Sequence, residues 1–309
     1  MNDSRFSAAL VAALVSAGAL YSAPGGRSGS PPPGVLNSFT GNVWINGMPP
    51  GPIDTGSIRL GTGQAIKTKD GMAELLLTPG SFLRIGNQSD LTLESVEASG
   101  VRLRLLSGEA LMEVLDAQPS ILVEQSGSVA LLQRPGLYGF DARRNEMSVY
   151  VGEARLSRNG IHNTIAADHG VKLRSLREFP AKPIPSNALW AWSNLRSKQL
   201  SGESAASAQA IGMNSGERRS SSWFWDVWAG SYTWLSASGA VTGPFGWPYY
   251  SPGYTPNSIP VHQGDSYLYG PPASRAPGIA QPAAPDYGRS PAAVPLTAPG
   301  VPQFPNNRF

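Results

Sequence analysis

The chain has 309 residues, a formal net charge of +3 and no cysteine. Disulfides, thiol nucleophiles, Cys-ligated metals and a lipidated N-terminal Cys are therefore excluded. The basic residues cluster no further than Arg143-Arg144 and Arg218-Arg219, so the dense positive stripe that displaces counterions from nucleic acid is missing.

The N-terminus reads as an export signal, assigned to residues 1–23. Arg5 gives a positive flank, Ser7 to Leu20 is an uncharged apolar run, and Ala17-Gly18-Ala19 has the small-x-small form of a cleavage site. A cut after Ala23 is the poorer choice because Pro24 would follow it. The run is short for a span, which needs about 20 residues, and no later segment is apolar enough. The expectation is a cleaved signal, no transmembrane segment afterwards, and a location in the periplasm or at the cell surface. Residues 24–38 read as a linker, because Pro and Gly in 24–34 oppose both helix and ladder.

Residues 39–179 read as one β domain. Gly41-Asn-Val-Trp-Ile-Asn-Gly47 alternates and closes on an Asn-Gly turn. Strand-like runs follow at 58–60, 65–68, 73–77, 82–85, 91–96, 101–106, 110–115, 121–125, 129–133, 138–142, 147–151, 154–157, 161–166 and 170–173. Their spacing suits a sandwich, a barrel or a solenoid-like roll. In Val101-Arg-Leu-Arg-Leu105 the arginines are expected to face water and the aliphatic residues the core.

Pro180-Ala-Lys-Pro-Ile-Pro185 is expected to end this domain. Residues 180–222 hold that linker, a helix capped by Ser186, and a Ser/Ala-rich spacer; Leu189, Trp192, Leu195, Arg196 and Gln199 set the helical spacing, and fraying is expected near Gly202. Residues 223–252 are an aromatic hairpin segment with its turn at Gly230-Ser231. Seven of the eight tryptophans lie between Trp190 and Trp247. Residues 253–309 are expected to be a disordered tail, since ten of the last forty residues are proline and apolar runs vanish.

Few residues offer chemistry. Asp54-Thr55-Gly56 has the form of an aspartic-protease loop, which needs a second carboxylate from a partner copy; the plainer reading is a polar turn after a Pro-rich stretch. His162, Asp168 and His169 are close in sequence but lack further ligands nearby, and His262 lies in the tail. Asn87-Gln-Ser89 is a glycosylation triplet of low specificity. No nucleophile elbow, Walker loop or dinucleotide fingerprint occurs. The remaining candidates are ligand-contact aromatics: Trp223, Trp225, Trp228, Tyr232, Trp234 and Trp247. Such rings stack on sugars, enter membrane interfaces or grip Pro-rich peptides when exposed, and cover a sheet when buried.

Residues 39–173 resemble the FecR domain, named for the periplasmic half of iron-citrate signal regulators. The resemblance rests on Gly41-Asn-Val-Trp-Ile-Asn-Gly47, the Gly63 to Ile85 block, Leu106-Ser-Gly-Glu-Ala110, and Pro135-Gly-Leu-Tyr-Gly-Phe140 followed by Val151-Gly-Glu-Ala154. The C-terminal part resembles a Trp-rich region of some acidobacterial envelope proteins, through Trp223-Phe-Trp225, Tyr232-Thr233, Pro244-Phe-Gly246 and Tyr250-Ser-Pro252. The resemblance implies an envelope protein and supplies no catalytic residues. It differs from the signal regulators, which carry a cytoplasmic sigma-factor-binding domain and a membrane helix ahead of the FecR part.

The expected fold is all-β: a FecR-like sheet domain, one helix, an aromatic hairpin and a disordered tail. The expected function is non-enzymatic binding or scaffolding at the envelope, toward a protein or a polysaccharide, with no cofactor, metal or nucleic acid. The alternatives are a component of FecR-type signalling and a dimeric peptidase using Asp54.

Overall fold

Alternation accounts for most of the strands. Val101, Leu103 and Leu105 are buried, while Arg102 and Arg104 turn outward into pairs with Glu94 and Glu124. The computed structural model describes residues 31–51, 54–97, 100–116, 119–212 and 221–254. The export signal, residues 24–30 of the linker, His262 and residues 255–309 of the expected tail lie outside the described residues.

The chain opens with a long antiparallel pair, β1 (Val35–Ile45) and β2 (Ala65–Leu76). Next come β3 (Ser81–Ile85), β4 (Asp90–Glu97), β5 (Gly100–Ser107), β6 (Glu109–Val114), β7 (Ser120–Gln125) and β8 (Ser128–Leu132). They are followed by β9 (Gly136–Asp141), β10 (Glu146–Val151), β11 (Glu153–Arg158), β12 (Ile161–Ala166), β13 (His169–Lys172) and β14 (Arg177–Pro180). All fourteen join one curled sheet in the order β12-β11-β8-β7-β5-β4-β2-β3-β6-β9-β10-β13-β14, with β1 alongside β2. β5 and β7 pair in parallel; the other pairings among the described strands are antiparallel.

β2 carries both arms of this sheet. Its Ala65–Lys67 end pairs with β4 and its Ala73–Leu76 end with β3. Between them β1 and β2 cross at Gly41 and Gly71, which face each other in the register. A Cβ on Gly41 would stand 2.0 Å from the Asp70 carbonyl oxygen, and Gly41 has φ +66°, so only glycine fits. The arms enclose one apolar interior, with Leu91, Leu103, Ile121 and Leu156 from one side and Leu75, Leu83, Met112 and Val149 from the other.

Among the described residues the fold is mostly β with a single helix, as expected. From β3 to β13 the sequence-read runs lie within two residues of the strands. Four differences are informative. β1 begins at Val35, inside the expected linker, because Val35, Leu36 and Asn37 are buried. The runs at 65–68 and 73–77 are one strand, continued through Gly71. Residues 58–60 make only a bridge, Arg59 to Val35. β14 was not expected; its Pro180 is tolerated because the strand is an edge.

After β14 come α1 (Ala188–Gly212) and two hairpins, β15 (Ser222–Asp226) with β16 (Ser231–Leu235), and β17 (Ala240–Thr242) with β18 (Pro248–Tyr250). The helix is capped by Asn187, not Ser186: Asn187 Oδ1 accepts the Trp190 N–H at 3.0 Å. It does not fray at Gly202. The Ser/Ala-rich run is a contact face, where Ser201 donates to the Pro248 carbonyl at 2.6 Å and Ser204 accepts the Tyr250 N–H at 3.0 Å. The first hairpin turns over 227–230, because Asp226 Oδ1 takes the N–H groups of Trp228 and Ala229. No helix among the described residues is long and apolar enough to cross a membrane.

Candidate functional site

The arm built from β2, β3, β6 and β9 is buried on both faces. Leu75-Leu76-Leu77, Ser81-Phe-Leu-Arg-Ile85 and Leu111-Met-Glu-Val-Leu115 are buried at both strand parities. The outward positions include Glu74, Arg84 and Glu113, all fully buried. Glu74 Oε2 accepts from Arg84 Nε at 2.8 Å, and Glu113 Oε2 accepts from Arg84 Nη1 at 2.7 Å. From α1, Arg196 Nη2 donates to Glu74 Oε1 at 2.9 Å and the Ser197 hydroxyl donates to Glu113. Burial alone would raise the Glu74 carboxyl, but Arg196 and Arg84 outweigh it and hold it at about 2. Burial opposes the Arg84 charge, yet Glu113 and Glu74 raise its proton affinity above the ordinary value. Burial also pushes the neighbouring Tyr249 phenol well up. A charge set of this kind gives a defined docking geometry more than net stability.

The first hairpin is clamped to the other end of the same face. Asn37 Nδ2 donates to the Tyr232 carbonyl at 2.9 Å, and the Tyr232 N–H donates to Asn37 Oδ1 at 2.7 Å. Asn37 sits at a register shift in β1, which frees its amide to imitate a neighbouring strand. Thr233 donates to the Leu200 carbonyl at 2.6 Å. Around these bonds Val35, Leu76, Phe82, Leu115, Leu200, Trp223, Tyr232, Trp234 and Tyr249 form a second apolar core. Phe82 meets Trp223 edge-on at 5.0 Å, and Trp234 meets Tyr249 at 5.9 Å.

The six candidate aromatics therefore divide. Trp223, Tyr232 and Trp234 are core rings and present no free face to a ligand. Trp225 is half-buried and packs on Tyr232. Trp247 is half-buried, donating to Asn194 Oδ1 at 2.8 Å beneath the Lys198 ammonium. Trp228 stands at the hairpin tip, 61 % exposed, beside Val227 at 47 %. The tip rests on the loop after β1, where Thr55 donates to the Gly230 carbonyl. Asp54 in that loop accepts the Gly51 N–H at 2.6 Å, which is turn chemistry. His162 and His169 are exposed on β12 and β13, and Asn87 is exposed after β3. Among the described residues no three His, Asp or Glu side chains converge.

Two features have no counterpart in the sequence reading. Glu203 on α1 is buried against the hairpin, its carboxylate accepting from the Ser231 hydroxyl at 2.9 Å. Burial lifts its pKa to about 7, although Arg196 and the Ser231 bond pull the other way. The second feature is a cleft of about 310 Å³ between β9, β10, residues 179–187 and the start of α1. Tyr150, Phe179 and Trp190 supply large rings, and Glu109, Asp141, Arg144, Glu146, Lys182 and Asn187 polar groups. The doubly apolar runs at 75–77 and 111–115 are a sequence sign of the covered face. The cleft has none, because it depends on strand pairing.

No family model matches the sequence, and no curated protein matches it. Two solved structures resemble part of the chain; both are of a "putative anti-sigma factor" from Parabacteroides distasonis ATCC 8503. One is 10 % identical, with a TM-score of 0.32 over 38 % of this chain and 57 % of the other. The second is 9 % identical, with a TM-score of 0.34 over 43 % and 64 %. The chain thus spans less than two thirds of either, and at these scores neither likeness carries an argument about function.

Proposed function

We propose that this chain is an exported, non-enzymatic module of the cell envelope, built on a FecR-like β domain, that binds or scaffolds an envelope protein or polysaccharide. The observation that supports this is the Val227–Trp228 tip. The other rings of its hairpin are locked by Asn37, Thr233 and the second core, so the turn that carries this exposed indole is fixed in place. A fixed backbone under an aromatic anchor spares part of the ordering cost of binding. The ion set under α1 and the Asn37 clamp make the helix and the first hairpin part of the scaffold.

The test places a photoreactive amino acid at position 228 in cells and identifies the cross-linked product after fractionation. Capture of one envelope component, in the fraction outside the cytoplasm, is expected. Cytoplasmic fractionation, or the same adduct from a probe at the exposed Arg155, would sink the reading. The order of FecR-like blocks in the sequence favours a second reading, a component of FecR-type signalling. It predicts a partner that crosses the membrane, which the same cross-link distinguishes.

A further inference from the structure

The register lays one row of outward residues across seven strands: Glu74, Arg84, Leu111, Gly139, Ser148, Gly170 and Phe179. The first part of the row lies under α1. The last part is a trough, because three successive positions, Gly139, Ser148 and Gly170, carry almost no side chain. Large rings fill in from the sides. A Cβ on Gly139 would stand 2.9 Å from the Tyr150 ring, and one on Gly170 would stand 2.3 Å from the Phe179 ring, so both rings lie down on the sheet over the glycines. Trp190 stands at 75° to Tyr150 with centroids 4.8 Å apart and makes the wall. Glycine at these strand positions is what lets the two rings lie flat on the sheet as an aromatic floor.

We infer that this trough binds a neutral glycan, its sugar rings stacking on Tyr150 and Phe179. The volume, about 310 Å³, falls at the small end of ligand sites, which run to about 1,000 Å³. The rim decides the class. Its carboxylates already have cations: Glu109 pairs with Arg143, Asp141 with Arg144 and Glu146 with Lys172. With Lys182 also on the rim its charges balance, so an ionic ligand gains no net attraction, and an apolar ligand would strip water from these groups without replacing the hydrogen bonds. A sugar hydroxyl both donates and accepts. It can give to the free lone pairs of those carboxylates and take from the Lys182 ammonium, while C–H faces of the ring cover the aromatic floor. The site is separate from the Trp228 tip and does not depend on it.

The test is an NMR titration of the full chain with cellotetraose, maltotetraose and N-acetylchitotetraose, reading the Trp190 indole and Ser148 amide signals. At least one sugar is expected to shift both, saturably, with a Kd of about 1 mM or tighter. Phe179→Ala should weaken it about ten-fold, Ser148→Phe should abolish it, and Arg155→Ala, at an exposed position on β11, should leave it unchanged. If Ser148→Phe loses the dispersed spectrum of a folded chain, Ser148→Leu replaces it with the same expectation. No shift with any of the three sugars, undiminished binding by the filled variant, or shifts at these signals from a Pro-rich peptide alone would overturn the assignment.

Discussion

Replacing Glu203 by Gln isolates a buried acid that makes no salt bridge. Folding raises its pKa from 4.5 to about 7. The folded chain therefore keeps the proton through a range where the unfolded chain has lost it. This share of stability is complete below pH 4.5 and is lost as pH rises to 7. At about 1.36 kcal/mol per tenfold change in proton affinity, the loss is about 3 kcal/mol. Gln keeps the acceptor for Ser231 and cannot ionise, so Glu203→Gln should be more stable than the parent by about 2–3 kcal/mol at pH 8.5 and nearly equal at pH 4.5. For a folded unit of this size that is about 5–10 °C in Tm. Urea unfolding followed by near-ultraviolet circular dichroism at the two pH values measures it. A variant destabilised equally at both values, or no gain at pH 8.5, would show that Glu203 is not buried as an unpaired acid.

Arg84→Met leaves Glu74 and Glu113 buried without their shared cation and should cost about 3–5 kcal/mol by urea titration. Glu74 gives the opposite pH limb: its pKa is held at about 2, so its contribution is present above 4.5 and disappears as pH falls toward 2, visible as a falling Tm on acidification that Glu74→Gln abolishes. Asn37→Ala removes both bonds to Tyr232 and should cost about 1–3 kcal/mol, with the first hairpin becoming the earliest site of limited proteolysis. Trp228→Ala should change stability by less than about 0.5 kcal/mol while altering whatever the tip contacts.

The sheet was legible because its two signals are local. Alternation in Val101–Leu105 and turns such as Asn46-Gly47 need no knowledge of partners. What escaped was set by pairing. The Ser/Ala run 201–210 reads as a spacer until Pro248 and Tyr250 are brought against it, and then small size becomes the reason the hairpin can come close. For Trp223 the sequence leaves a ligand face and a covering face both open, because the ring that it packs against, Phe82, is some 140 residues away in the chain. The trough is legible in retrospect only through the register that aligns Gly139, Ser148 and Gly170.

The Asn37–Tyr232 clamp joins residues 195 positions apart. Its closure must therefore wait until nearly the whole described chain has emerged from the ribosome. Until then Leu76, Phe82 and Leu115 stay open on a finished sheet, around a guanidinium and two carboxylates that are still wet. A product broken off after Pro180 would carry that adhesive surface permanently, and cellular quality control would meet it as an unfinished molecule.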